Sequence, residues 1–196
     1  MMKKSEGFSL IELLVVVAII GVLAAVGIVG YQQYITNTKS DVAKTNAESI
    51  TRWVSSTAIA RSGGITVDPN DCAATKNDNL SACFDTSIAA GTGPFSKFEN
   101  PWDKANGPTI AYRDNSTEAK LTAGEVCPDT DNTTFKFYEK DSTGAESDLT
   151  GDKVKGVTYI IPQEGGDNLS STSNYLQIGY CDKDKKFQSI NDNVTF

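Results

Sequence analysis

The pattern of apolar and polar positions splits this chain into a front part and a remainder with different physical demands. From Leu13 through Thr38 no charged residue occurs, and Leu13–Val29 (LLVVVAIIGVLAAVGIV) is apolar or glycine throughout. With Phe8, Leu10 and Ile11 the run reaches the ~20 apolar residues that cross a ~30 Å hydrocarbon core as a helix. Beyond it the pattern becomes amphipathic: Tyr31, Tyr34, Ile35, Val42, Ile50, Trp53, Val54 and Ala58 recur at helical spacing among polar neighbours. No proline falls between Met1 and Pro69, and Ser62-Gly63-Gly64 supplies a stop signal. A single helix from Ser9 to Arg61 is therefore predicted, about 80 Å long at 1.5 Å per residue. Its first half would project from the globular part, and its second half would pack against it.

After Gly64 the composition turns to Asn, Asp, Thr, Ser and Gly, and residues 65–108 read mainly as loop, with prolines at 69, 94, 101 and 108. Four short runs with strand character follow: Thr109–Arg113, Thr133–Glu139, Val154–Ile161 and Asn174–Cys181, with Lys186–Ile190 as a possible fifth. Turns rich in Asp, Gly and Ser separate them. Successive short strands without intervening helices predict an antiparallel sheet with one face covered by the long helix. The expected class is thus α+β. No internal repeat is present.

Charge and composition narrow the function classes. The chain carries 18 Lys+Arg against 25 Asp+Glu, a formal charge of -7, and its pI is about 4.6. This balance opposes a basic phosphate-binding face, so no nucleic-acid partner is expected. There is no histidine. That removes the commonest general base and metal ligand and every Ser-His or Cys-His arrangement, and no paired-carboxylate motif replaces them. An enzyme is not expected.

Lys3 and Lys4 precede the apolar run and, by the positive-inside rule, stay in the cytoplasm while the rest of the chain faces out. A removable secretory signal cut near Ala25 or Gly27, or a plain signal anchor on an extracellular binding module, would explain that much. Neither accounts for Glu12 inside the apolar run, where a carboxylate costs ~2.5–3.5 kcal/mol at mid-bilayer and somewhat less near the interface. Neither accounts for Gly7 directly before Phe8.

At these residues the chain resembles the amino terminus of type IV prepilins and of the related type II secretion pseudopilins. The matching stretch is KKSEG-FSLIELLVVVAIIGVLAAVGIVGYQQY, about 30 residues. The resemblance implies that a prepilin peptidase cuts between Gly7 and Phe8, that Phe8 is then N-methylated, and that Glu12 becomes the fifth residue. It divides the chain into a leader (1–7), a transmembrane and filament-core helix (8–35), an amphipathic helix (36–62) and a β-rich head (63–196). A carboxylate in lipid needs a partner, and the new amine of Phe8 on a neighbouring helix would be one. Gly21 matches a glycine of the family, and Gly21, Ala24, Ala25 and Gly27 offer small surfaces for close helix packing. Val29 stands where many members have a helix-kinking proline, so any bend must come from Gly21, Gly27 or Gly30. The implied product is a homo-oligomeric surface filament made by pilus or type II secretion assembly machinery, from a precursor in the bacterial inner membrane. A pseudopilin would be told apart by loss of exoprotein export rather than of surface filaments.

Four cysteines in an exported chain point to disulfides, and of the three possible connectivities Cys72–Cys83 with Cys127–Cys181 is the expected one. Cys72–Cys83 closes a local loop. Cys127–Cys181 resembles the disulfide-bounded region of many pilins and would contribute roughly 4 kcal/mol in the chain-entropy model. A four-cysteine zinc site lacks the paired C-x2-4-C spacing. No cofactor is expected. Asn100-Pro101-Trp102-Asp103 with Tyr112 faintly resembles a pseudopilin loop beside which acidic residues hold calcium. Asp129, Asp131, Asp141, Asp148 and Asp152 could supply oxygens, but turn chemistry explains them as well. N-x-S/T triplets at Asn79, Asn115, Asn132, Asn168 and Asn193 carry little weight in a chain so rich in these residues.

Overall fold

A computed structural model describes residues 7–65, 95, 98–104, 110–113, 121–128, 135–138, 154–163 and 175–195. Helix α1 spans Leu10–Ser62, 53 residues without a break, offset by one residue from the predicted limits. Its carboxy end closes as the glycine pair requires. Gly64 adopts a φ of 73°, and the N–H of Ile65 reaches back to the carbonyl of Ala60 at 3.0 Å. That six-to-one bond around a left-handed glycine is a Schellman cap.

Five strands follow: β1 (Ile110–Arg113), β2 (Phe135–Tyr138), β3 (Thr158–Gln163), β4 (Tyr175–Cys181) and β5 (Phe187–Thr195). They form one sheet in the order β2-β1-β3-β4-β5. Three of the four pairings are antiparallel, whereas β1 and β3 run parallel, with Ile110 opposite Thr158 and Tyr112 opposite Ile160. The parallel pair arises because β2 occupies one side of β1, so the chain must cross over to add β3 on the other. The fold is α+β and mostly antiparallel.

Two of the predicted strands are corrected. The run Val154–Ile161 does not begin as a strand. Val154–Gly156 is a turn in which Gly156 has a φ of 79° and Val157 N–H returns to Val154 O. A side chain at Gly156 would meet Asn100 Oδ1 and Trp102 Cε3, each at 2.7 Å, so only glycine permits this docking. Strand β3 starts two residues later and continues through Pro162. Among the described residues β1 pairs with β3 as far as Ile160, so the missing N–H of Pro162 breaks no bond of that pairing. The second correction is to Lys186–Ile190, which extends to Thr195. The strand carries Asn191, Asp192 and Asn193, poor strand formers, because the register with β4 shifts on either side of Ile178 and the bulges absorb the extra residues.

Both faces of the sheet are covered. On one, Ala47, Ile50 and Val54 of α1 pack with Phe95, Ile110, Ile160, Leu176 and Ile178. On the other, Ala111, Tyr159, Ile161 and Phe187 pack with Val154, Val157, Cys127 and Cys181. Two-sided burial explains why Tyr159-Ile160-Ile161 reads as an unbroken apolar run rather than an alternation. Phe187 fits because residue 179 is glycine, where a Cβ would lie 2.3 Å from its Cζ.

The chain forms two compact units, one ending at Thr38 and the other beginning at Lys39.

Candidate assembly surface and the disulfide region

The amino-terminal unit has the features of an attachment surface. Gly7, Phe8 and Ser9 precede the helix in non-helical backbone, all exposed, with Phe8 at 86%. Ser9 caps the helix. Its carbonyl accepts the N–H groups of Glu12 at 3.1 Å and Leu13 at 3.3 Å, while its own N–H donates to Glu12 Oε2 at 2.9 Å. The back-reach of an N3 glutamate is half of a capping box, and it satisfies a donor that the helix start leaves open. In the uncut chain, then, Glu12 has a partner on its own backbone. The S-x-x-E spacing from Ser9 to Glu12 is the sequence signature of this cap.

The helix beyond Glu12 is long and apolar enough to cross a membrane. Its large apolar side chains stay exposed, from Leu10 at 82% to Val16 at 47%. Gly21 lies within it. A Cβ placed at Gly7, Gly21, Gly27 or Gly30 would meet nothing within 4 Å, and none of these glycines has a positive φ. Among the described residues, therefore, nothing in the fold demands glycine at any of the four positions.

The other predicted element lies in the head. Cys127 and Cys181 form a disulfide with a Cα–Cα distance of 6.0 Å, both residues buried. The bond is one of several ties that seat residues 121–128 on the start of β5. Gly124 N–H donates to Phe187 O, Phe187 N–H to Glu125 O, and Cys127 N–H to Lys185 O, at 2.8 to 2.9 Å. The buried amide of Gln177 adds two bonds: its Nε2 donates to Leu121 O at 2.8 Å, and its Oε1 accepts Leu121 N–H at 3.0 Å. Tyr159 donates its hydroxyl to Pro128 O at 2.6 Å. Sequence reasoning missed Gln177 and Tyr159, and no local signal marks them, since each acts on a backbone group more than 30 residues away. Asn100, noted in the sequence for a loop resemblance, donates its amide to Lys155 O at 3.0 Å. Cys72 and Cys83 lie outside the described residues. So do Asp129, Asp131, Asp141, Asp148 and Asp152, the oxygen ligands considered for calcium.

Asp182 organises the turn into β5, where its carboxylate accepts from Asp184 N–H, Lys186 N–H and the Gln188 amide at 2.8 to 2.9 Å. Beside it, Tyr180 is half-buried against the helix side of the core, and burial, then the charges of Asp182, Asp41 and Glu48, raise its pKa above the ordinary 10.0.

Comparison with known proteins converges on the same region. Residues 2–28 match the prokaryotic N-terminal methylation motif. A fimbrial protein of Moraxella nonliquefaciens is 30% identical over 148 residues, 69% of this chain and 95% of the relative. A probable minor fimbrial protein of Dichelobacter nodosus is 30% identical over 129 residues, 63% of this chain and 79% of that one. The type IV major alpha-pilin of Moraxella bovis is 49% identical, but over 39 residues only, 20% of this chain and 24% of the pilin. No solved structure matches. With the methylation motif at residues 2–28, a helix-on-sheet head with its disulfide, and a fimbrial relative 30% identical over 95% of its own length, the chain belongs to the type IV pilin family.

Proposed function

We propose that this chain is the precursor of a structural subunit of a type IV pilus. It is held in the inner membrane by the apolar part of α1, cut between Gly7 and Phe8 by a prepilin peptidase, methylated on the Phe8 amine and built into a homo-oligomeric filament. The observation that carries the reading is the set of open glycines on an exposed apolar helix. A helix-interior glycine costs roughly 0.5–1 kcal/mol relative to alanine. Among the described residues nothing packs into Gly21, Gly27 or Gly30, so the compensating contact is expected from another molecule. Small residues let helix backbones approach closely where lipid supplies no hydrophobic driving force. Gly7 follows the same logic, since an exposed residue outside the helix, with space for a side chain, is glycine for the enzyme that reads it.

Glu12 then has two successive partners. Before assembly its carboxylate caps the helix through Ser9. After cleavage the Phe8 amine adds a positive charge one residue from that cap, and in the filament the amine of an adjacent subunit can take the carboxylate. Substitution Glu12→Ala is expected to leave processing largely intact and to impair assembly. Normal filaments built from that variant alone would sink the charge-pairing account.

The deciding experiment is the amino-terminal sequence and intact mass of the protein from the native surface fraction. A chain beginning at Phe8 with one additional methyl group is expected. One beginning at Met1, or after Gly27, would replace the filament reading with an anchored or secreted domain.

A further inference from the structure

We propose that Tyr31 and Tyr34 are the outer interfacial anchor of the membrane-inserted precursor, fixing where the bilayer ends along α1; this rests on the reading of that helix as membrane-spanning. The two side chains are 67% and 66% exposed, the only aromatic residues between Phe8 and Trp53, and three positions apart, so they point from neighbouring sides of one turn. Their distance from the helix start fits the role. From Leu10, Tyr31 lies about 32 Å and Tyr34 about 36 Å along the axis at 1.5 Å per residue. A hydrocarbon core of ~30 Å then ends at the ring of Tyr31 and leaves Tyr34 among the headgroups. Tyrosine suits that depth, because its ring is apolar and its hydroxyl takes a hydrogen bond from or to the wet side.

The following turn supports the same boundary. Thr36 and Thr38 donate their hydroxyls to the carbonyls of Gln32 and Tyr34, each at 2.9 Å. Hydroxyls bonded to their own helix tolerate a thinly hydrated zone, where open polar groups are costly. Full charge returns only at Lys39, the first charged residue after Glu12. The occupant of this surface is therefore the lipid interface on the non-cytoplasmic side, with uncharged polar residues spanning the step from tyrosine to lysine.

The test places p-cyanophenylalanine, close to tyrosine in size, singly at 31 and 34 of the uncleaved full chain in phosphatidylethanolamine–phosphatidylglycerol vesicles. The same group at Ile20 and at the exposed Ile59 provides apolar and aqueous references. Infrared nitrile stretches at 31 and 34 are expected to fall between those two. Agreement of either site with Ile20 puts the interface farther along the helix, and agreement with Ile59 puts it nearer the start; both outcomes overturn the anchor. A water-like stretch at Ile20 itself overturns the membrane-spanning reading, a distinguishable failure.

Discussion

The two halves of α1 share one backbone geometry and opposite fates. From Lys39 onward a stripe at Ala43, Ala47, Ile50, Val54 and Thr57 is buried to 4% exposure or less. Its spacing of four and three residues turns one side of the helix to the sheet. Lys44, Glu48 and Arg52 stand on the solvent side as exposed (i, i+4) pairs at 3.9 Å, worth a few tenths of a kcal/mol at most. Before Thr38 there is no stripe. Apolar residues surround the helix and remain exposed. An amphipathic helix is completed by its own chain, whereas one that is apolar all round needs an apolar environment on every side. The first half is thus unfinished as a monomer, and the second is finished. This is the division of labour that the proposed filament subunit requires.

That contrast can be tested by perturbing each side. The largest effect is expected in the finished half, from the disulfide. Replacing Cys127 and Cys181 together by serine should lower the stability of the head by roughly 4 kcal/mol in the chain-entropy model. Urea unfolding of the full chain in detergent, followed by Trp53 fluorescence, reads it. A loss below about 1 kcal/mol would mean that the Gln177 amide and the backbone bonds of Gly124, Phe187 and Cys127 hold residues 121–128 unaided.

Next comes a matched pair of truncations. Ile50→Ala removes a fully buried side chain and should cost about 2–5 kcal/mol in the same assay. Ile20→Ala, at a residue 55% exposed in the subunit, should leave head stability within about 0.5 kcal/mol. Its effect should appear instead in filament assembly or membrane retention. Equal losses of head stability from both variants would break the comparison.

A smaller, pH-dependent effect sharpens it. The pKa of Tyr180 is raised by burial first and then by Asp182, Asp41 and Glu48, two of which lie on α1. A raised pKa means the folded state favours the protonated phenol. The contribution is complete below the ordinary value of 10.0 and is lost as pH climbs through the higher folded value. Stability should therefore fall above about pH 10, and Tyr180→Phe should flatten that fall. An unchanged alkaline profile in the variant would show that Tyr180 does not sense the acidic side of the docked helix.

The smallest effect is stabilising. Lys185 holds a φ of 59° in the turn before β5, a left-handed conformation that costs a residue with a Cβ about 1 kcal/mol. Lys185→Gly should raise head stability by a few tenths to about 1 kcal/mol in urea, with no change in how the apolar half behaves. A loss of stability would mean that the lysine stem contributes more than its backbone strain costs.

Much of the molecule could be read from the chain in order. The helix was legible to within a residue because its signals are local: an uninterrupted apolar run, a change of periodicity, and a glycine pair at the stop. Gly7, Phe8, Glu12 and Gly21 stand out in the sequence for a related reason. They fall in a short, contiguous motif at residues 2–28, so their spacing along the chain is enough to mark them. Strand limits were less legible. Val154 and Val157 are buried and apolar, as a strand requires, yet Gly156 turns the chain between them because Asn100 and Trp102 occupy the space beside it. Nothing within several residues of Gly156 announces a loop more than 50 positions away.

The sequence by itself determined which part of this protein is apolar on every side, which part of the helix is amphipathic, and that the fold is α+β. Those outcomes depend on hydrophobic periodicity and charge, which are additive along a chain. Only the tertiary structure decided that β3 lies beside β1 in parallel, that Gln177 and Tyr159 hold residues 121–128, and that Glu12 has a backbone partner in Ser9. Each of these depends on the geometry of groups brought together by folding, where a difference of one ångström separates a hydrogen bond from an orphaned polar atom.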